Sequence, residues 1–291
     1  PPDRAPSSPV SAFLTVMRGC NYSCSYCIVP SVRGRESYLP FEQVLEEARR
    51  LAEGGARELM LLGQTVNSYR DPGGRGDFAD LLRAVAAMPG VLRLRFMSPH
   101  PFFVNERMAS AMAETPQVCR HLHLPAQSGS DPILKAMRRN YTRAELLAKT
   151  AELRRRMPDI ELSSDFIVGF PGETGEDFAL TLTLAGEMGL SAAYCFKYSP
   201  REGTPAFAGG DPVPEAVKEE RLAALLDGVG ELTRSALRSW QGRKASVLLE
   251  DSDTGRTAHH FNARLDEPGE PGSVVDAVVT GSPGTALKCT R

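Results

Sequence analysis

The chain is dominated by an alternation of short apolar runs with segments of helical periodicity, and Gly or Pro marks most of the joints. Short apolar runs of this kind are typical of buried strands, and apolar residues at i, i+3 and i+4 are typical of helices packed on them. The predicted strands are residues 12–17, 58–62, 91–97, 119–124, 160–168 and 192–198. The predicted helices are residues 41–53, 77–88, 104–114, 131–137, 142–157 and 174–188.

Six strand–helix units in succession predict an α/β fold with a parallel sheet curved into a barrel. A complete eightfold barrel needs about 250 residues, so six units predict a partial (β/α)6 barrel. A long helix is predicted at 214–240, and the sequence after it shows only short β runs, at 246–249 and 273–280. We therefore expect a linker or arm at 1–10, a partial barrel at 11–238, and a small all-β barrel at 239–291.

Charge and hydropathy exclude several classes of protein. The chain has 34 Lys and Arg against 36 Asp and Glu, for a net charge of −2. This balance excludes a polybasic nucleic-acid tail and weakens RNA capture by charge alone. No apolar run is long enough for a membrane-spanning helix, so no membrane partner is expected. The chain begins at Pro1 without a signal peptide, so we expect a processed chain or an excised fragment.

Three of the six cysteines are crowded just after the first predicted strand, in GCNYSCSYCIVP: Cys20, Cys24 and Cys27. This is the end of a barrel strand at which α/β barrels place their chemistry. Crowded cysteines indicate metal ligation in a reducing compartment, so a cytoplasmic protein is expected. The Cys-x3-Cys-x2-Cys spacing suits three corners of a [4Fe–4S] cluster with one open iron. The alternative is a zinc site completed by a distant histidine, such as His100, His121 or His123.

Three other loops at the predicted barrel mouth carry polar groups. Gln64 and Asn67 follow the second strand and can hydrogen-bond a ligand, although turn stabilisation is an equal alternative for Asn67. The segment 127–130 offers an amide and two hydroxyls to a carboxylate or a ribose, or a simple N-cap. The glycines of 169–173 allow close approach to a ligand, or form a plain tight turn. Acidic residues follow this loop and argue against a bound phosphate.

The cysteine loop, with Tyr26 as the aromatic residue before Cys27, resembles the radical S-adenosylmethionine superfamily. Five ordered motifs resemble its methylthiotransferases, and are most like the MiaB type, which acts on N6-isopentenyladenosine in tRNA. They are RGCNYSCSYCIVPSVRGRE, LLGQTVNSY, HLHLPAQSGSD, SSDFIVGFPGET and FKYSPREGTPA. The likeness covers about residues 11–291, and the tail resembles a TRAM domain, which is a small RNA-binding β-barrel.

The resemblance implies an open-iron [4Fe–4S] cluster on the three cysteines, with S-adenosylmethionine as its ligand. Reductive cleavage of the cofactor's S–C5′ bond gives a 5′-deoxyadenosyl radical, which removes a hydrogen atom from an unactivated carbon. No catalytic side chain beyond the cluster ligands is implied. The residues implied to hold S-adenosylmethionine are Tyr26, Gln64, Asn67, Ser98, Gln127, Ser128, Asp165, Gly169, Phe170 and Tyr198.

The implied activity is methylthiolation of C2 of N6-isopentenyladenosine at position 37 of tRNA, beside the anticodon. The implied partners are the anticodon stem-loop and an electron donor such as flavodoxin or ferredoxin, and a monomer is expected. Family members carry an upstream domain whose three cysteines hold an auxiliary [4Fe–4S] cluster, and we expect this chain to lack it. Cys119, Cys195 and Cys289 are far apart in sequence and are expected to be isolated free thiols.

Several residues have both a functional and a structural interpretation. Arg33 and Arg35 flank Gly34 and suit a tRNA phosphate, or are solvated surface. The basic stretch 135–156 faces RNA or is an ordinary solvated helix face. Tyr198 stacks on adenine or lies in the core. His121 and His123 alternate on one strand and are expected to be hydrogen-bonded barrel residues.

Two other functions stay open from the sequence. One keeps the radical chemistry but changes the target to threonylcarbamoyl-adenosine in tRNA or to an aspartate of a ribosomal protein. The other is a non-enzymatic, metal-stabilised RNA-binding protein.

Overall fold

A computed structural model describes residues 10–291. Its strands are β1 (Ser11–Thr15), β2 (Met17–Arg18), β3 (Ser37–Tyr38), β4 (Glu58–Leu62), β5 (Arg93–Phe96), β6 (His121–His123), β7 (Glu161–Val168), β8 (Ala192–Lys197), β9 (Lys244–Leu249), β10 (Thr254–Thr257), β11 (Asn262–Leu265), β12 (Val274–Gly281) and β13 (Ala286–Thr290). Its α-helices are α1 (Val29–Arg33), α2 (Phe41–Glu53), α3 (Phe78–Ala86), α4 (Glu106–Glu114), α5 (Asp131–Ala136), α6 (Arg143–Arg156), α7 (Gly175–Glu187) and α8 (Glu215–Ser239).

Six parallel strands form the partial barrel that the sequence predicts. β1, β4 and β5 pair in that order, β6, β7 and β8 pair in that order, and a parallel bridge between Leu94 and Val118 joins the two halves. Helices follow the strands along the chain, so that the strand ends before them face one rim. The predicted α/β fold class is therefore confirmed.

The helices form where apolar periodicity and caps coincide. Asp77 caps α3 through a capping box with Asp80, and Thr142 caps α6 through a capping box with Glu145. Buried leucines and valines on α3 pack against the sheet, where Leu59, Leu61 and Leu94 are fully buried. This packing explains why β4 and β5 are largely buried and why β4 appears in the sequence as a nearly continuous apolar run.

Three short elements around the cysteine loop were not predicted. β2 and β3 pair antiparallel over two residues each, with Met17 opposite Tyr38, and α1 is a single five-residue helix. Elements this short carry no detectable period, so their sequence gives no signal. The β2–β3 pair closes the base of the long loop that contains the three cysteines.

The tail forms a closed five-stranded barrel in the order β10-β11-β13-β12-β9. The sequence predicts only two β runs there, which match β9 and β12, because β10 (TGRT) and β11 (NARL) contain few apolar residues. The small barrel has its own core, which includes Val247, Leu249, Leu287 and Cys289 and continues to Trp240 after α8. A small C-terminal barrel is thus present, and its predicted boundaries stay a prediction.

Buried arginines on β5 attach the small barrel to the partial barrel. Arg93 donates to the carbonyl oxygens of Arg256 and Ser246. Arg95 donates to Thr257 O at 2.6 Å and forms a buried ion pair with Glu58, with Nε 2.8 Å from Oε2. The contact between the two barrels therefore depends on charged groups that have lost their water.

Replacing Arg95 with methionine is expected to destabilise the protein by about 3–5 kcal/mol, because Glu58 would keep a buried charge without a partner. Denaturant unfolding followed by circular dichroism measures this change. Arg155→Ala removes an exposed pair with Glu152 and is the matched control, with an expected cost below about 1 kcal/mol. Equal costs for the two variants would show that the buried Arg95–Glu58 pair contributes no more to stability than an exposed pair.

Three further predictions concern the N-terminal arm, membrane-spanning helices and the state of the cysteines. Residues 1–9 of the predicted linker lie outside the described residues, whereas Val10 is buried and its carbonyl accepts hydrogen bonds from the amides of Arg57 and Glu58. Within residues 10–291 we find no helix that combines the length and apolarity needed to cross a bilayer. All six cysteines are free thiols.

Candidate cluster and cofactor site

The cysteine loop begins at the C-terminal end of β1 and is closed on itself. Cys20 N donates to Gly34 O at 3.1 Å, and Asn21 and Glu36 exchange two hydrogen bonds at 3.2 Å across the loop. Ser25 fixes the far end of the loop. Its hydroxyl donates to Ala136 O, the last residue of α5, and its amide donates to Met137 O, directly after α5. The loop is therefore held at both ends before any ligand is bound.

The three predicted ligands lie together in this loop. Cys24 is buried, Cys20 and Cys27 are half-buried, and Cys27 N donates to Cys24 O at 3.1 Å. Burial raises the pKa of Cys27, and the neighbouring charges of Cys24 and Cys20 raise it further. Three soft thiol donors that repel one another when ionised form a donor set that suits iron and sulfide.

Two of the histidines named for the zinc alternative have partners inside the barrel. Across the described part of the chain, no three His, Cys, Asp or Glu side chains, the three cysteines included, are grouped closely enough to hold one metal ion. A single zinc ion needs four ligands within about 2.3 Å, whereas the thiolates of a [4Fe–4S] cluster bind different irons and stand farther apart. His121 and His123 both bond Ser163 Oγ, at 3.0 and 2.9 Å, as expected for barrel histidines.

Arg139 is the cation nearest the cysteines, and its role was missed from the sequence. Its Nη1 lies 3.3 Å from Cys24 Sγ and 3.4 Å from Tyr26 OH, and its Nε donates to Tyr141 OH at 2.6 Å. Burial opposes its charge, but the neighbouring phenol and thiol groups more than offset this, so the pKa of Arg139 is raised. A permanent positive charge thus lies against the sulfur of Cys24, one of the three predicted cluster ligands.

A cavity of about 360 Å³ opens beside the loop, at the carboxyl ends of the strands. This volume falls in the range of small-molecule sites. Its lining combines polar groups with exposed aromatic side chains, and consists of Gln64, Met97, Ser98, Pro99, His100, His123, Pro125, Gln127, Arg139, Asp165, Tyr194 and Phe196. Because Arg139 contacts Cys24 and also lines the cavity, a bound molecule would lie next to the cysteine loop.

Four of the predicted cofactor residues line this cavity: Gln64, Ser98, Gln127 and Asp165. Gln64 Oε1 accepts from Gly19 N at 2.6 Å and so connects the β4 loop to the cysteine loop. Ser98 and Gln127 have positive φ angles of 58° and 70°, a costly backbone conformation that concentrates at functional sites. Asp165 Oδ2 lies 3.1 Å from His123 Nε2.

Two of the predicted cofactor residues have protein partners instead. Asn67 accepts from His100 N at 2.7 Å and donates to His100 O at 3.0 Å, which joins the loops after β4 and β5. Ser128 is fully buried and bonds Thr181 Oγ1 at 3.2 Å. Both side chains therefore shape the walls behind the cavity, and neither lines it.

The remaining four predicted cofactor residues form a neighbouring aromatic cluster. Phe170 and Tyr198 are buried edge to face with ring centroids 5.2 Å apart, and Tyr26 packs against them. A Cβ on Gly169 would lie 2.2 Å from Lys218 Cγ, so glycine is needed there for close packing on α8. In the same loop, the carboxylate of Glu173 accepts a hydrogen bond from Gly169 N at 2.6 Å.

The predicted tRNA contacts lie on the outer side of the cysteine loop. Arg33 ends α1, Arg35 follows Gly34, and both are exposed. The basic stretch at 135–156 is instead largely used within the protein. Arg143 pairs with Glu187 at 2.6 Å, Arg156 pairs with Glu106 at 2.6 Å, and Arg154 donates to backbone carbonyls after α7.

Gly19 fixes the start of the cysteine loop, and replacing it with alanine is expected to lower the amount of bound cluster. Its φ is +75°, and an added Cβ would lie 2.1 Å from the carbonyl oxygen of Arg35. Gly34→Ala is the matched control, because Gly34 has φ +72° but no atom within 4 Å of an added Cβ. Its cost is only the strain of a backbone region that glycine alone visits readily, about 1–3 kcal/mol. Iron content and thermal melting measure both effects, and equal losses would contradict this role of Gly19.

The structure is a half-open α/β barrel. A three-cysteine loop follows its first strand, and a cofactor-sized cavity lies beside the loop. These features are typical of enzymes whose barrel holds an iron–sulfur cluster. The sequence profile described as the Radical SAM superfamily matches residues 14–185. The chain belongs to this superfamily, whose enzymes use a [4Fe–4S] cluster and S-adenosylmethionine.

Two curated relatives that are similar to this chain share one name within this superfamily. The chain is 45% identical to the tRNA-2-methylthio-N(6)-dimethylallyladenosine synthase of Sorangium cellulosum, over 91% of this chain and 59% of the relative. It is 42% identical to the enzyme of the same name from Pseudomonas syringae, over 96% of this chain and 66% of the relative. The chain thus spans about three fifths to two thirds of the length of these relatives.

Solved structures agree on the fold alone. The radical S-adenosylmethionine methyltransferase of Kitasatospora setae matches with a TM-score of 0.56 at 20% identity, over 67% of this chain and 38% of that one. Coproporphyrinogen III oxidase from Escherichia coli matches with a TM-score of 0.52 at 16% identity, over 81% of this chain and 54% of that one.

Proposed function

We propose that this chain is the radical and tRNA-binding portion of a methylthiotransferase acting on C2 of N6-isopentenyladenosine at position 37 of tRNA. The observation that supports this most strongly is the 42–45% identity to enzymes named for that product, along nearly the whole chain. The three thiols beside a cofactor-sized cavity supply the chemistry that such an enzyme requires. Because the relatives are longer, the whole reaction is proposed for the complete protein, with an upstream auxiliary cluster.

In this proposal Cys20, Cys24 and Cys27 hold the cluster, which supplies one electron to S-adenosylmethionine when both are bound. The cavity binds the cofactor, with Gln64, Ser98, Gln127 and Asp165 as hydrogen-bonding groups. The side chains of Asn67 and Ser128 support this wall from behind, and Tyr26, Gly169, Phe170 and Tyr198 lie next to it. Beyond the three cluster ligands, no side chain is proposed to be catalytic.

The electrostatics of the chain's own residues favour this arrangement. Arg139 compensates negative charge at Cys24 and lies on the cavity wall, where it can also face the carboxylate of the cofactor. Tyr194 and Phe196 leave aromatic surface exposed at the rim. A nucleobase that enters the cavity from solvent would meet this surface first.

The proposed partners follow the same geometry. Arg33 and Arg35 are placed to contact the backbone of an anticodon stem-loop that enters over the cysteine loop. The small C-terminal barrel, proposed as a TRAM domain, would bind another part of the tRNA. A flavodoxin or ferredoxin would supply the electron, and the six free thiols fit a cytoplasmic protein.

Nucleoside mass spectrometry on tRNA tests the proposed function. The chain is expressed alone, and fused to the upstream region of the Pseudomonas syringae relative, in a host that lacks its own enzyme. We expect the fusion to produce 2-methylthio-N6-isopentenyladenosine, and a fusion with Cys24→Ala to produce none. Modified threonylcarbamoyl-adenosine or ribosomal protein instead would reassign the target. Absence of every product, while the intact relative is active in the same host, would contradict the proposal.

A further inference from the structure

His100 lies in the loop after β5 and lines the cavity, and the sequence offers it only as a possible ligand of the zinc alternative. The residue is only 7% exposed. Its ring stacks on Tyr22 of the cysteine loop, with centroids 4.3 Å apart and planes 18° from parallel. The rings of Phe103 and Tyr141 lie edge-on to it, at 6.3 and 5.8 Å. His100 therefore sits in an aromatic wall that joins the cysteine loop to the cavity.

The position of His100 is fixed from two sides. The side chain of Asn67 binds both the amide and the carbonyl of His100, at 2.7 and 3.0 Å. The backbone N–H of Phe102 donates to Nδ1 of the ring at 3.2 Å. A buried ring held by its backbone, its neighbour's amide and a stacked tyrosine has little freedom to rotate.

The hydrogen bond from Phe102 also fixes the protonation state of the ring. Because Nδ1 accepts a hydrogen bond, it carries no proton, and the proton of the neutral ring is on Nε2. Burial and the nearby charge of Arg139 lower the pKa of His100 to about 3, so the ring stays neutral at physiological pH. Nε2–H is therefore a donor at all working pH values.

This donor has no acceptor among the described residues, and Nε2 is buried. A buried donor without a partner is costly, whereas the amide, the carbonyl and Nδ1 of the same residue are all paired. Such a cost is typical of a group that gains its partner from a ligand. Its neutrality makes it poorly suited to an anion, and the surrounding rings favour a flat heteroaromatic partner.

We propose that Nε2–H of His100 donates a hydrogen bond to a ring nitrogen of an adenine bound in the cavity. This inference rests on the proposed function, in which two molecules carry that group: S-adenosylmethionine and the adenosine of the tRNA. The contact would fix the orientation of the purine relative to the cysteine loop, since His100 is stacked on Tyr22 of that loop.

The test compares the affinities of wild-type protein and His100 variants for adenine ligands and for their deaza-adenine analogues. Wild-type protein, His100→Phe and His100→Gln are loaded with cluster under anaerobic conditions. One arm measures equilibrium binding of S-adenosylmethionine and of its 1-, 3- and 7-deaza-adenine analogues. The other arm measures binding of an anticodon stem-loop RNA with N6-isopentenyladenosine, or its deaza analogues, at position 37. Cluster absorbance and melting temperature confirm that each variant is folded.

We expect His100→Phe to bind the natural ligand of one arm about tenfold more weakly than the wild type, which is the worth of one hydrogen bond. One deaza analogue should weaken binding to the wild type by a similar factor and leave binding to His100→Phe unchanged. His100→Gln, which keeps an N–H donor, should recover part of the loss. The arm that shows this coupling identifies the source of the adenine.

Failure of the inference is distinguishable from failure of the proposed function. If every analogue weakens wild type and His100→Phe by equal factors in both arms, His100 does not contact an adenine nitrogen and the inference is overturned. Coupling in the cofactor arm supports it even when the tRNA target proves to be a different one.

Discussion

Cys24→Ala is expected to remove the cluster and reduce cleavage of S-adenosylmethionine to the level of protein without iron. Cys24 is the buried member of the three thiols and the one that faces Arg139, at 3.3 Å from its Nη1. Two thiolates on a loop cannot hold three corners of a [4Fe–4S] cluster. The measurements are iron and sulfide content after anaerobic reconstitution, and 5′-deoxyadenosine formed after reduction.

The remaining cysteines supply the matched control. Cys119 lies beside Arg95 and Glu58, Cys195 is on β8, and Cys289 is in the core of the small barrel. Alanine at each of these positions is expected to leave iron content and cleavage unchanged. A loss of iron in these variants, or retained cleavage in Cys24→Ala, would mean that another set of ligands holds the cluster.

Arg139→Met is expected to lower both the cluster's stability and the rate of cofactor cleavage by about 10- to 100-fold, the usual effect of removing a group that supports a metal ligand. The positive charge next to Cys24 stabilises the extra negative charge that the cluster gains on reduction. Without this charge, the reduction potential should shift to more negative values. Redox titration followed by electron paramagnetic resonance measures that shift independently of turnover.

Arg138 is the control for this prediction, because it is the adjacent arginine and its side chain is exposed. Arg138→Met should leave the potential and the cleavage rate within error of the wild type. Arg139→Lys keeps the charge but not the planar contact with Cys24 and the two tyrosines, so an intermediate potential is expected. An unchanged potential in Arg139→Met would show that the cation serves only to fill the loop.

The partial barrel could be predicted because strands such as β4 and β5 are largely buried. β4, ELMLL, is an apolar run in the sequence, β7, ELSSDFIV, ends in one, and turns bound both. The small barrel was predicted only in part, because short strands such as β10 have one face in solvent and few apolar residues. Composition distinguishes such strands poorly from loops.

The residues of the candidate site also differ in how well the sequence could place them. The three cysteines, Gln64 and Gln127 could be placed at one rim because they follow strand ends, and strand ends of a parallel barrel meet there. Asp165 lies within β7, so only the family resemblance pointed to it. Arg139 and His100 could not, because their partners are distant in sequence: Arg139 is 115 residues from Cys24 and His100 is 33 residues from Asn67. Arg139 was counted only as part of a basic stretch, and no local pattern separates it from Arg138.

The three-cysteine loop is proposed to carry an open-iron cluster that cleaves S-adenosylmethionine bound in the adjoining cavity. Mass-spectrometric detection of 5′-deoxyadenosine from the reconstituted, reduced wild-type chain, alongside its iron and sulfide content, tests this proposal most directly. We expect one [4Fe–4S] cluster per chain and steady formation of 5′-deoxyadenosine that requires reductant. A colourless protein with one tightly bound zinc ion, or an iron protein that leaves S-adenosylmethionine intact after reduction, would contradict it.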